Sequence, residues 1–296
     1  MRIGLLGTGP WAGFVHAPAL AAHPDIEFAG VWGRRPEAAA ELAALHDVPA
    51  YPTAEALIAD VDAVAIALPP DVQAEYAVRA AQAGKHLLLD KPVAATVDAA
   101  RAVEDAAAAS GVASVVFFTV RFTAGQDAWI AEQAAQDGWF TAHCHWIGSV
   151  FTTDSPYAAS PWRQQKGALW DVGPHALSVL LPVLGEVERV TAAPGPADTA
   201  HLILRHRGGA SSTVTLTLTA PPAAAALGAA VELRGAAGVA ALPDRGEPPV
   251  EAFGRAVDAL RAAAATGTPH PCDVGFGRQV VEVLARAEEQ LLRGAN

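Results

Sequence analysis

The sequence predicts an α/β chain in two parts: a doubly wound parallel sheet, then an α+β domain whose open-faced sheet is mainly antiparallel. Three observations predict this. Apolar runs of strand length alternate with helical stretches through residue 120. Beyond that point, strands alternate polar and apolar residues, the pattern of a sheet with one buried face. The 296 residues also exceed what one core usually serves, roughly 100–200. The expected domains are 1–120 and 121–296, with the final helix packing back on the first.

Arg2–Gly7 is a short apolar run closed by glycine, which reads as a buried strand. A helical stretch follows to about Ala22. Ile26–Trp32 is the second strand, and Pro36–Leu45 is a helix with proline in its first turn. Val61–Leu68 is a nearly all-apolar third strand, stopped by Pro69 and Pro70. Val72–Ala83 is a helix ended by Gly84. His86–Asp90 is the fourth strand, Val97–Ser110 a helix ended by Gly111, and Val112–Val120 the fifth strand. Strands joined by helices make a parallel sheet with right-handed crossovers.

In the second part, Phe140–Ile147, Val187–Ala193, Ala200–His206, Ser211–Thr219 and Ala230–Arg234 read as strands. Val214, Leu216 and Leu218 share one face. The other, with Thr213, Thr215 and Thr217, is expected to pair with a second subunit in a homo-oligomer. Ala176–Leu184 is helical up to Gly185, and Phe276–Arg293 is a final amphipathic helix. Residues 194–196, 221–222 and 244–249 are turns or loops.

Composition narrows the function. Apolar residues make up 52% and charged residues 17%, which excludes a disordered chain. Twenty Lys and Arg against 31 Asp and Glu leave a net charge of −11, which argues against nucleic-acid or anionic-membrane partners. Cys144 and Cys272 make neither a disulfide framework nor a four-cysteine zinc site. His143 and His145 flank Cys144 on a strand, so the cysteine faces away from both and no metal site is expected. No apolar run approaches the roughly 18–20 residues of a membrane span. Arg2 to Ala19 loosely mimics a signal peptide, but residues 7–10 interrupt it, so a cytoplasmic protein is expected.

Gly7, Thr8, Gly9, Pro10, Trp11 and Ala12 match G-x-G-x-x-G/A between the first strand and its helix. Glycines there permit a tight turn and close backbone approach to a pyrophosphate at the helix start, so a Rossmann dinucleotide domain is expected. NAD-specific versions end the second strand with an acid; here stand Gly33, Arg34 and Arg35. A carboxylate repels a 2′-phosphate and a guanidinium pairs with it, so NADP is expected in preference to NAD. Leu68, Pro69 and Pro70 fall where a loop flanks the nicotinamide half. Asp90, Lys91 and Pro92 end the fourth strand, at the edge where open α/β sheets bind ligands. A lysine there can bond a substrate oxygen or help its proton move.

Asp171, Gly173 and His175 open the helical stretch in the second domain. If the helix starts near Asp171, that residue and His175 stand i, i+4 on one face. Histidine suits proton exchange with an alcohol near neutral pH, and a neighbouring carboxylate would orient it. The competing structural reading makes Asp171 a helix N-cap and His175 a half-buried core residue. Trp139, Trp146, Trp162 and Trp170 gather around these motifs. Most read as core or interface, and Trp162 as able to stack on a sugar.

The glycine turn, Asp90-Lys91-Pro92, Arg121, Trp162-Arg163 and Asp171 to His175 recur in this order in the Gfo/Idh/MocA oxidoreductases, which the chain resembles over almost its whole length. The resemblance implies a Rossmann domain plus an open-faced sheet domain, and NAD(P)-linked chemistry on sugars, polyols or related compounds. It implies Lys91 as catalytic lysine, His175 as acid/base, and Asp171 as its partner or a substrate ligand. Arg121, Trp162, Arg163 and Lys166 would lie near the substrate. Asp90 stands where many members carry Glu, and Gln73 where many carry His. The glycines before Asp171 are thinned to Gly167-Ala168-Leu169.

The expected activity is hydride transfer between nicotinamide and a carbinol or carbonyl carbon, with Lys91 and His175 serving one substrate oxygen. An in-class variant uses held NAD(P) for epimerisation or hydrolysis. A different class, a nucleotide-dependent sensor or co-repressor, shares the fold. Such a sensor need not retain Lys91, Asp171 and His175.

Overall fold

The computed structural model describes residues 1–152, 155–226 and 228–294. In chain order, β1 is Arg2–Leu6. A π-helical turn, Ala12–His16, continues into α1, Ala17–Ala22. Next come β2 (Glu27–Trp32), α2 (Pro36–Leu45), α3 (Ala54–Asp60), β3 (Ala63–Ile66), α4 (Pro70–Gln82), β4 (His86–Asp90), α5 (Val97–Ser110) and β5 (Ser114–Phe117). A 3₁₀ turn, Thr119–Arg121, leads to α6 (Ala124–Ala134), β6 (Trp139–Ile147), α7 (Pro161–Asp171) and α8 (Gly173–Leu184). The chain continues through β7 (Val187–Pro194), β8 (Ala200–His206), β9 (Ser211–Thr217), β10 (Ala230–Gly235), β11 (Gly238–Ala241), α9 (Pro249–Thr266) and α10 (Val274–Gly294).

Two compact units result: Met1–Phe122 with Glu247–Val281, and Thr123–Gly246 with Glu282–Asn296. Segment 247–281 thus groups with the first unit, although it falls inside the expected second domain, 121–296. The first unit carries a five-stranded, wholly parallel sheet in the order β2-β1-β3-β4-β5. Its central strands are buried on both faces, as parallel sheets covered by helices are. Thr53 and Thr96 cap α3 and α5 by accepting the Ala56 and Ala99 N–H groups, and Gly111, at φ 64°, ends α5.

The second unit carries the six-stranded sheet β11-β10-β6-β9-β8-β7, in which only the β6–β9 pairing is parallel. Along β8, buried and exposed residues alternate strictly, and α8 packs on the buried side through β6 and β9. This is the open-faced sheet the alternation predicts. Thr213 faces out, whereas Thr217 turns in and donates to Asp198 Oδ1 at 2.8 Å, contrary to the expected face.

Other expectations change too. The fifth strand stops at Phe117 rather than Val120. Helices α3, α6, α7 and α9 and strand β11 were not anticipated, and the loop expected at 244–249 runs straight into α9. Pro161–Leu184 does have the length and apolarity of a membrane span, but that window is 83% buried in the protein, as a core helix is.

Two histidines brace the sheets as neutral rings. His206 is buried, donating from Nδ1 to Gly185 O at 2.8 Å and accepting at Nε2 from Ser212 Oγ at 2.9 Å. His86 Nδ1 accepts the Ala113 N–H at 3.0 Å. Burial lowers both pKa values below the ordinary one. The unfolded chain therefore binds protons that the folded chain refuses, and stability falls as pH drops below about 6.5. The melting temperature is expected to decline from pH 7.5 to 5.5, with a shallower slope in His206→Gln. Equal slopes in both proteins contradict this.

Candidate active site

In the first unit the glycine turn leaves β1 at the carboxyl edge of the sheet. Gly7 has φ 135°, its N–H donates to Trp32 O at 2.8 Å, and a Cβ there would lie 2.4 Å from Ala67 O. The turn is thereby locked onto the ends of β2 and β3. Thr8 lies over Gly33, where a Cβ would come within 2.5 Å of its Cγ2. Gly9 is different: nothing lies within 4 Å of its would-be Cβ. Pro10, Trp11 and Ala12 begin the helix behind it. An open approach over a glycine at a helix start fits the pyrophosphate of a dinucleotide. Arg34 and Arg35 are exposed just past β2. Leu68 and Pro69 follow β3, and Pro70 begins α4.

Asp90 and Lys91 emerge at the same edge, at the end of β4. Asp90 Oδ1 accepts the Lys91 N–H at 2.7 Å, and its Oδ2 lies 3.5 Å from His16 Nε2. His16 is completely buried, with its ring 4.0 Å from that of Phe253 and edge-on to Phe117. Arg121 follows β5 and lies 5.8 Å from the centre of the Phe276 ring.

In the second unit, Asp171 and His175 fall on two successive helices joined at Val172, which keeps helical φ/ψ; the sharp kink lies upstream at Gly167. Asp171 ends α7, Val172 has φ −110°, and His175 sits in the first turn of α8. The Asp171 carboxylate accepts the Arg163 Nε–H at 2.9 Å, and both side chains are largely shielded from water. The Arg163 guanidinium also lies between the Tyr157 and Trp162 rings, at 4.7 and 4.5 Å. The Trp162 ring is thus against arginine. Lys166 pairs with Glu288 at 2.9 Å and lies 4.7 Å from the Trp170 ring centre. His175 is buried and stacked on Trp146, with centroids 5.0 Å apart and planes 24° off parallel. Burial pushes the Cys144 thiol up to about 12, so it supplies no thiolate near neutral pH.

Residues 1–118 match the family described as "Oxidoreductase family, NAD-binding Rossmann fold", and residues 141–241 match the GFO/IDH/MocA C-terminal domain. The chain belongs to the Gfo/Idh/MocA family. An uncharacterised protein of Saccharomyces cerevisiae is 28% identical over 232 residues, 74% of this chain and 63% of that one. "D-xylose 1-dehydrogenase (NADP(+)) 2" of Haloferax volcanii is 32% identical over 199 residues, 65% of this chain and 60% of its own. The match thus spans less than two thirds of either relative's length. Among solved structures, levoglucosan dehydrogenase in complex with NADH superimposes with a TM-score of 0.85 at 22% identity, covering 99% of this chain and 97% of that one.

Within each unit, several residues brace the candidate residues without standing out in the sequence. His16 is one; its only signal is a lone histidine in the helix after the glycine turn. Asp198 is another. It accepts Ala168 N–H at 3.1 Å, just past the kink at Gly167 (φ 61°), and holds Thr217 Oγ1, Leu218 N–H and Thr219 Oγ1. It thereby ties the last turn of α7, which bears Asp171, to the end of β9. Gly173 lets α8 approach α10: a Cβ there would come within 2.9 Å of Leu284.

Proposed function

We propose that the protein is an NAD(P)-dependent oxidoreductase acting on a sugar, polyol or related hydroxyl or carbonyl compound, with NADP preferred. The observation that carries this is Lys91. It leaves the carboxyl end of β4 in the same sheet whose β1 ends in the open glycine turn. Gly7 to Ala12, Gly33 to Arg35, Leu68 to Pro70, Asp90 and Lys91 would hold the dinucleotide. When bound, nicotinamide supplies hydride exchange; the chain supplies position and proton handling. His175, with its ring plane set by Trp146, exchanges the hydroxyl proton. Lys91 bonds the substrate oxygen, and Arg163 holds Asp171 in place. The named sugar dehydrogenases among its relatives support the substrate class. Lys91, Asp171 and His175 together favour an enzyme over a sensor. The test is NADPH oxidation and NADP reduction across sugars, inositols and keto-sugars; no turnover with either cofactor overturns the proposal.

Arg34→Asp is expected to weaken NADPH about 10–100-fold more than NADH, the loss of a charge-assisted pair to the 2′-phosphate. Equal losses measured by fluorescence titration count against NADP preference.

The open sheet face supports a homo-oligomer. Across it His143 pairs with Thr213 and His201 with Thr215, and Ile203 is 57% exposed. Light scattering at micromolar concentration is expected to give a dimer or larger, and Ile203→Asp a smaller species. A native monomer refutes this.

A further inference from the structure

We propose that Gln73 is a positioning residue for Lys91, its side-chain amide setting the course of the turn that carries the lysine. Its importance for catalysis rests on the role assigned to Lys91 above. Gln73 lies in the first turns of α4 and is 1% exposed. Its Oε1 accepts the Asp90 N–H at 3.0 Å. Its Nε2 donates to Asp90 O at 2.7 Å and to Pro92 O at 3.1 Å, with Val93 O at 3.4 Å. Those partners dictate which end of the amide is oxygen, since an N–H can only donate and carbonyls only accept. They also bracket Lys91 on both sides along the chain.

The register of the sheet explains why an amide is needed. Pairing of β3 with β4 ends at Ile66 and Leu89, one residue before Asp90. From there β4 has no β3 partner on that side. A primary amide is chemically a peptide group, and Gln73 extends the ladder by one. Glutamate would keep the acceptor and lose the donor, placing charge against carbonyl oxygens. Methionine would lose both and leave buried polar groups unpaired. Either change frees the Lys91 backbone, and small displacements of an acid–base group cost about 10–100-fold in rate.

The chain contains three lysines, Lys85, Lys91 and Lys166. Lysine labelled at ¹³Cε therefore gives three NMR signals, assignable by Lys→Arg variants, with two as internal controls. In Gln73→Met and Gln73→Glu the Lys91 signal is expected to move. Lys85 and Lys166 should stay in place. With a substrate in hand, kcat should fall about 10–100-fold and KM change less than about threefold. An unmoved Lys91 signal in both variants overturns the proposal. If neither variant folds, the native protein decides: slow solvent exchange of the Gln73 carboxamide protons supports the clamp, and free exchange overturns it. None of these NMR readouts needs turnover. A moved Lys91 signal together with a fully active Lys91→Ala enzyme would therefore refute the catalytic role and leave the clamp standing.

Discussion

Lys91→Ala and His175→Ala are each expected to cut turnover by about 10²–10⁴-fold, the range of a lost general acid or base. NADPH binding should be largely intact in His175→Ala, which touches no residue proposed to hold the dinucleotide, and weaker in Lys91→Ala, which removes one. The double variant should lose less than the product of the single losses, since both groups serve one proton transfer. Asp171→Asn separates two roles. A mild loss means that the carboxylate orients; a loss as large as that of His175→Ala means that it binds substrate. Steady-state rates decide, and near-native turnover by Lys91→Ala sinks the proposed mechanism.

The same substitution placed two residues apart is expected to give opposite results. Gly7→Ala forces a methyl to within 2.4 Å of a backbone oxygen at a φ that L-residues avoid. It should destabilise by about 3 kcal/mol or more, lowering the melting temperature by about 6–12 °C. Gly9→Ala meets no protein atom within 4 Å, so its melting temperature should be native. Its methyl would instead occupy the pyrophosphate's approach, and NADPH affinity should drop by about 100-fold, the scale of a few kcal/mol. Native NADPH binding by Gly9→Ala would place the nucleotide elsewhere.

The first sheet was legible because its signals are local. Gly7, Gly84 and Gly111 close elements next to them, and Pro69 and Pro70 mark the end of β3. Of the helices with weak sequence signals, α3 and α6 are alanine-rich and α9 follows a proline cluster that reads as a loop. The site was legible as residue types and less so as geometry. Asp171 and His175 stand out in the sequence, but the kink at Gly167 ahead of them does not. Asp198 acts on residues about twenty and thirty positions away, and no local pattern carries that. Gln73 departs from the histidine that the family resemblance implies there, and only the folded chain shows what it bonds.

The edge of the parallel sheet has a consequence for how the chain is made. Val116 N–H, on the outermost strand β5, donates to Cys272 O at 2.7 Å, and the Val274 N–H donates to Ser114 Oγ at 3.2 Å. Phe253 of α9 covers His16 and Phe117. All of these partners are synthesised more than 120 residues after β5. While the ribosome works through the second unit, the nascent nucleotide-binding half therefore carries a bare strand edge and an uncovered aromatic patch. Such an edge invites pairing with neighbouring chains. Synthesis of residues 247–281, rather than folding of the first sheet, is the step at which this half becomes safe from aggregation.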